Sequence, residues 1–277
     1  MSEMNQATDG TGRPVNPRDG VVPIMREIDK GMLKVEGTGF YISRYGLFLS
    51  AHHVIATLID GTEKKLGVGY ICHLAKNNTI HLRRILRAGL LQPADLAVGQ
   101  ADNYLKKCPD NPLTNMRATL STTIPESGSR VTTYAYPENE VLDFTGEGKN
   151  PIIVSDYYEG KFLRYVAESE NPFMPYPHFE TTIELKSGAS GGPVFDSKGR
   201  VIGVNCRGWD LAGAEHEGDN LSSIVPIVEL LNLRIDLFQL PPTSWEWAQI
   251  PSTSEGMAFT AAELARFGHI KFEPKLT

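Results

Sequence analysis

Residues 37–55, "GTGFYISRYGLFLSAHHVI", carry the pattern that decides the fold. Two short runs rich in aromatic and branched apolar residues flank Arg44-Tyr45-Gly46, and such runs read as strands joined by a tight turn. The same spacing continues through "KLGVGYICHLA" (65–75), "IHLRRILRA" (80–88) and "DLAVGQA" (95–101). "CPDNPLTN" (108–115) gathers turn formers and breaks the series. A second series follows: "SRVTTYAYP", "PIIVSDYYEG", "KFLRYVAES", "FETTIEL", "GPVFD", "RVIGVNCRG" and "LSSIVPI", spread over residues 129–227. Regular short strands punctuated by Gly and Pro point to sandwich or barrel architecture. The expected fold is all-β, with two six-stranded antiparallel barrels, a boundary near 108–122 and short C-terminal helices.

Helical signals come late. "PIVELLNL" (226–233) opens on a proline and has helical apolar spacing. "TAAELARFG" (260–268) places Glu263 three residues after Thr260 and Gly268 at its exit, the arrangement of a capping box. A proline-rich connector, "PPTSWEWAQIPSTSEG" (241–256), separates them. The expected organisation is a disordered leader over 1–20, an N-terminal barrel over 21–115, a C-terminal barrel over 116–240, and a tail over 241–277 with a short helix.

The chain has 277 residues, 41% hydrophobic and 22% charged, with a formal charge of −6. That balance argues against nucleic acid or an anionic membrane as the main partner. No apolar run approaches the roughly 18 residues of a membrane span. The opening "MSEMNQATDGTGRPVNPRDG" lacks the apolar core of a signal peptide. Cys72, Cys108 and Cys206 are odd in number and widely spaced, so they read as reduced thiols and imply a cytoplasmic location. Cys72-His73 with distant His81 lacks zinc-ligand spacing, so neither a metal nor a cofactor is expected.

The chemistry concentrates in "LKSGASGGPVF" (185–195). Three glycines around Ser190 would make a plain tight turn, but they also allow backbone N–H groups to point at the space above its hydroxyl. A base candidate lies in "FLSAHHVI" and an acid candidate is Asp95 in "QPADLAVGQ". Each alone has a plainer reading, as an exposed histidine and a turn or capping aspartate. The chain order His53, Asp95, Ser190 is one of three unrelated orders on which the serine–histidine–acid triad is built. Two members fall in the first strand set and the serine in the second, so a cleft between the barrels would join them.

These blocks resemble the trypsin-like serine peptidase family, and its bacterial HtrA-like branch more than digestive trypsin. "GTGFYIS…GLFLSAHHVI", "DLAV", "GSRVTTYAYP" and "SGASGGPVFDSKGRVIGV" are similar to the family's blocks, in the family's order, over about residues 35–235. The resemblance implies a serine endopeptidase with Ser190 as nucleophile, His53 as base and Asp95 orienting it. It implies an oxyanion hole from the N–H groups of Gly188 and Ser190, and substrate pairing along "VNCRG" (204–208) at Cys206 and Gly208. His53 is preferred to His52 because the family's base directly precedes a small apolar residue, here Val54. Ala189 replaces the aspartate that pairs with a freshly cut N-terminus in zymogen-type members, so maturation by that latch is not expected. No PDZ-like segment is expected after the second barrel.

The partners expected are a protein or peptide substrate and a regulatory protein, with activity controlled through the acidic segment "GWDLAGAEHEGDN" (208–220), and the expected setting is a bacterial stress or defence pathway. The competing reading is an inactive trypsin-like fold that serves as a binding module. A Glu-specific peptidase is disfavoured by Asn205 before Cys206, where those enzymes carry histidine. Glu184, six residues before Ser190, stands where trypsin-type enzymes keep the acid at the floor of the S1 pocket. Buried there it would favour substrates with Arg or Lys; paired with Lys186 at the surface it would not.

Overall fold

The computed structural model describes residues 7–8, 13–43, 46–58, 69–74, 80–91, 94–102, 117–137, 141–145, 151–168, 174–209, 221–231, 234–236, 238–239, 258–266 and 268–276. Twelve strands build two closed barrels. The first comprises β1 (Val21–Asp29), β2 (Met32–Tyr41), β3 (Leu47–Ser50), β4 (Gly69–Leu74), β5 (Ile80–Leu91) and β6 (Leu96–Ala101). They pair in the order β2-β1-β4-β5-β6-β3, and β3 closes on β2. The second comprises β7 (Arg130–Ala135), β8 (Asp156–Val166), β9 (His178–Thr181), β10 (Pro193–Phe195), β11 (Val201–Trp209) and β12 (Leu221–Pro226). Their order is β10-β7-β8-β9-β12-β11, closed by β11 on β10. The architecture is the expected pair of six-stranded antiparallel barrels, with extra short strands at the margins.

Burial follows the pleat. Strand β2 alternates between buried and exposed at its start, then is buried throughout from Gly37 to Tyr41, where it passes between the barrels. Strands β3 and β6 are buried along their whole length. Gly99 on β6 sits opposite Phe48 on β3, and a Cβ there would lie 2.1 Å from the ring. One apolar cluster fills the first barrel and runs into the seam through Leu120, Tyr136, Val204 and Val225. A smaller one of Val131, Phe162, Phe179, Ile183, Val194, Ile202 and Ile224 fills the second. Phe162 and Phe179 meet edge to face at 5.1 Å within it.

Several elements lie outside the simple two-lobe division. Residues 141–143 pair with β2, and 238–239 pair with β5, so chain from the second half completes the first sheet. Residues 7–8 and 13–20, expected within a disordered leader, form a short ladder and a turn of 3-10 helix. Thr8 donates to the Gly199 carbonyl from both its N–H and its hydroxyl at 3.0 Å, and Ala7 is buried. Those partners, invisible in local composition, order a polar segment. The expected break at 108–115, the connector at 241–256 and the turn residues Arg44 and Tyr45 fall outside the described residues.

Two helices match the late signals: α2 (Val228–Leu231) and α3 (Ala261–Arg266). In α3 the capping box is made, with Glu263 N–H donating to Thr260 Oγ1 at 3.1 Å and Thr260 N–H to Glu263 Oε2 at 2.9 Å. The first helix in the chain, α1 (His52–Ala56), had no such signal. Among the described residues no helix is long and apolar enough to cross a membrane.

Candidate active site

The helix His52–Ala56 starts two residues beyond β3, and its N-cap Ala51 offers no side-chain hydrogen bond. Asp95, just before β6, supplies one instead. Its carboxylate Oδ1 accepts the His53 N–H at 3.0 Å, and its main-chain carbonyl accepts the His52 N–H at 3.2 Å. A carboxylate at the first turn satisfies an orphan amide and faces the positive end of the helix. With Oδ1 fixed, Oδ2 lies 2.8 Å from His53 Nδ1. An ionised carboxylate only accepts, so the imidazole proton sits on Nδ1 and Nε2 keeps its lone pair. The Asp95 side chain is 13% exposed and that of His53 44%.

Burial raises the affinity of Asp95 for a proton. The hydrogen bonds and charge of His53, with a contribution from His52, outweigh it and hold the carboxyl below its usual range. His52 is itself shifted down: burial disfavours its cation, Asp95 partly offsets this, and His53 adds to it. Cys206 packs beneath. Its Sγ donates to the carbonyls of Asp95 at 3.5 Å and Val204 at 3.4 Å, and burial pushes the thiol well above its ordinary value.

The Ser190 loop is fixed from both barrels. Thr38 on β2, fully buried, donates its N–H to the Ser190 carbonyl at 2.8 Å and its hydroxyl to the Gly188 carbonyl at 2.9 Å. The same hydroxyl accepts the Tyr136 N–H at 3.1 Å, and the Thr38 carbonyl accepts Ser50 Oγ at 2.7 Å. From the other side, Gly191 N–H donates to the Asn205 carbonyl at 2.8 Å and Asn205 N–H to Gly192 at 2.9 Å. The Asn205 amide donates to Thr133 Oγ1 at 2.7 Å and reaches the Ala189 carbonyl at 3.4 Å. Gly191 has φ +85°, and a Cβ there would lie 2.0 Å from the Thr38 carbonyl. Gly188, at φ +90°, also adopts the conformation that glycine tolerates.

Within this frame the amides of Gly188 and Ser190 donate to no acceptor among the described residues. The Ser190 hydroxyl donates to the Cys206 carbonyl at 3.2 Å and makes no hydrogen bond to His53. Three of the expected residues therefore meet here: His53 and Asp95 in direct contact, and Ser190 beside Cys206, which touches Asp95. Gly208 is exposed on β11, two residues beyond Cys206, and a Cβ there would lie 2.9 Å from the Leu185 carbonyl.

Glu184 departs from the buried-acid expectation. Its side chain is exposed, in the extended segment that follows β9. Solvent therefore screens the carboxylate, and the desolvation penalty that would favour a basic substrate residue does not arise. Residues 210–220 of the expected gate lie outside the described residues. Among the described residues no three His, Cys, Asp or Glu side chains group to hold a metal ion.

Sequence reasoning missed Thr38, which stood unremarked between two glycines. It weighed Asn205 only for specificity. Neither has a local signature, since each acts through partners distant in sequence.

In structure the chain is similar to Deg5, with 19% identity and a TM-score of 0.53, over 78% of this chain and 87% of that one. It is also similar to the Rv3671c protease from M. tuberculosis in its active form, with 17% identity and a TM-score of 0.52, over 78% of this chain and 79% of that one. At such identities the likeness shows the fold. No curated protein matches the sequence. The trypsin-like peptidase domain family matches residues 37–204, which contain His53, Asp95, Ser190 and the Thr38 frame. The chain belongs to the trypsin-like peptidase family.

Proposed function

We propose that this protein is a serine endopeptidase that cleaves protein or peptide substrates in the cytoplasm through an acyl-enzyme. The observation that carries the reading is the His53 Nδ1–Asp95 Oδ2 contact of 2.8 Å, which leaves Nε2 as a base on the side of the cleft. A substrate strand lies along β11, and its scissile-residue (P1) N–H takes the Cys206 carbonyl. The Ser190 hydroxyl, which occupies that carbonyl at 3.2 Å, is thereby released toward His53. Ser190 Oγ bonds to the scissile carbonyl carbon as its proton passes to His53 Nε2, and Asp95 stabilises the imidazolium. The oxyanion takes the Gly188 and Ser190 amides, where one lost donor costs about 10²–10³ in kcat. His53 then gives its proton to the leaving amine, the C–N bond breaks, and water repeats the sequence to free the acid and restore Ser190.

The position of the Ser190 hydroxyl on Cys206, away from His53, favours a second reading: an inactive trypsin-like fold that binds a protein partner. A fluorophosphonate probe separates the two. The peptidase reading expects labelling of the wild type, none of Ser190→Ala, and loss of cleavage by about 10⁴-fold or more in Ser190→Ala and His53→Ala. His52→Ala should keep measurable turnover. Absence of labelling in a folded wild type would leave the binding module.

A further inference from the structure

Strand β11 is paired on both edges only through Val204. Pro193, Val194 and Phe195 flank it on one side, and β12 flanks it along Gly203–Trp209 on the other. Asn205 is bonded to Gly191 and Gly192. From Cys206 onward, one edge faces no strand among the described residues, and an extended peptide can add there.

The register of such a peptide follows from Cys206. Its carbonyl accepts Ser190 Oγ, so it points out of the open edge toward the nucleophile. The register of β11 against β12 shifts by a bulge between Asn205 and Arg207, and beyond it the alternation of main-chain groups resumes, so Gly208 presents its N–H and carbonyl on the same edge as the Cys206 carbonyl. A peptide whose P1 N–H meets Cys206 has its third residue back from the scissile bond opposite Gly208. The residue before the scissile one (P2) is then opposite Arg207. Side chains directly opposite share a face, with Cβ atoms about 4.5–5.5 Å apart.

Arg207 is exposed, while its neighbour Cys206 points into the protein. On the opposite face, Gly208 abuts the Leu185 carbonyl, so the segment bearing Glu184 and Lys186 lies on that other side. Among the described residues Arg207 makes no ion pair.

We infer that Arg207 selects substrates carrying Asp or Glu at P2, through a charge-assisted hydrogen bond from its guanidinium to the substrate carboxylate. This rests on the peptidase reading above. The planar fork of Arg matches a carboxylate, and the contact forms at the rim of the site, where it shapes specificity more than raw affinity.

The test uses the full chain and peptides that share one P1 residue, taken from cleavage of an unbiased peptide library, and differ only in Glu, Gln or Lys at P2. Wild type should prefer Glu to Gln by about two- to fivefold in kcat/KM, with Lys poorest, and 0.5 M salt should shrink the difference. Arg207→Gln should level Glu and Gln, and Arg207→Glu should invert the order in favour of Lys. A wild type indifferent to P2, or an Arg207→Glu variant that keeps the wild-type order, would overturn the inference while leaving the peptidase reading intact. If a folded wild type neither cleaves the library nor labels with fluorophosphonate, the peptidase reading falls and this inference falls with it.

Discussion

Thr38 shows how much of a site can hang on one buried hydroxyl. It bonds the Gly188 carbonyl and receives the Tyr136 amide, and so sets the peptide that lies between the Gly188 and Ser190 amides. Thr38→Val keeps the shape and strands both groups, which should cost about 1–3 kcal/mol of stability. It should also lower kcat about tenfold with little change in KM, and Thr38→Ser should restore kcat. Steady-state kinetics on the three proteins measures this, and a uniform loss of folded protein with unchanged kcat would mean a packing role alone. Asp95 makes a second prediction at this scale. Its folded-state affinity for protons is below the ordinary one, so its contribution to stability is complete above about pH 4 and is lost as pH falls through the folded value. Melting temperatures of wild type and Asp95→Asn should differ at pH 6 and converge toward pH 3.

At the scale of elements, short helices depend on their ends. The helix His52–Ala56 is too short to form alone and borrows its N-terminal acceptor from Asp95 across the barrel. The helix Ala261–Arg266 carries its own in Thr260 and Glu263. Thr260→Ala should therefore cost about 1 kcal/mol, read by chemical denaturation, with no effect on labelling of Ser190. The Ser190 loop is less forgiving. Gly191→Ala forces a Cβ to within 2.0 Å of the Thr38 carbonyl and 2.3 Å of Ser50 Oγ, at a positive φ. It should cost about 3 kcal/mol or more and abolish labelling, because the frame must move for the side chain to fit.

Across the whole molecule, the barrels are tied by specific polar contacts as well as by apolar packing. Tyr136, buried in the seam, donates its hydroxyl to the Val21 carbonyl at 3.0 Å and stacks edge-on with Tyr134 at 5.8 Å. Tyr136→Phe should lower stability by about 1–2 kcal/mol, measured by denaturant unfolding monitored from both barrels. Thr8 bonds the Gly199 carbonyl and residues 7–8 pair with 14–15, so deletion of residues 1–20 should lower the melting temperature. Because Ala189 offers no carboxylate to a new N-terminus, that deletion should not raise activity. Probe labelling of the truncated chain checks both outcomes.

The short aromatic and branched apolar runs in "GTGFYIS" and "GLFLS", flanking a tight turn, by themselves determined the strands, because neighbouring residues carry that signal. The capping box of Thr260 and Glu263 was legible for the same reason: its partners are three residues apart. The order of His53, Asp95 and Ser190, with glycines around the serine, likewise pointed to the triad from local composition. Only the tertiary structure decided that Asp95 caps the helix bearing His53, that Thr38 and Asn205 frame the Ser190 loop, and that Glu184 is exposed. Each of these depends on which groups lie close across the barrels. Ser190 and Thr38 are linked by a main-chain hydrogen bond across 152 positions, and burial at residue 184 is set by which face of the segment meets solvent. Periodicity reports the local backbone, whereas desolvation and hydrogen-bond partnership are properties of the packed chain.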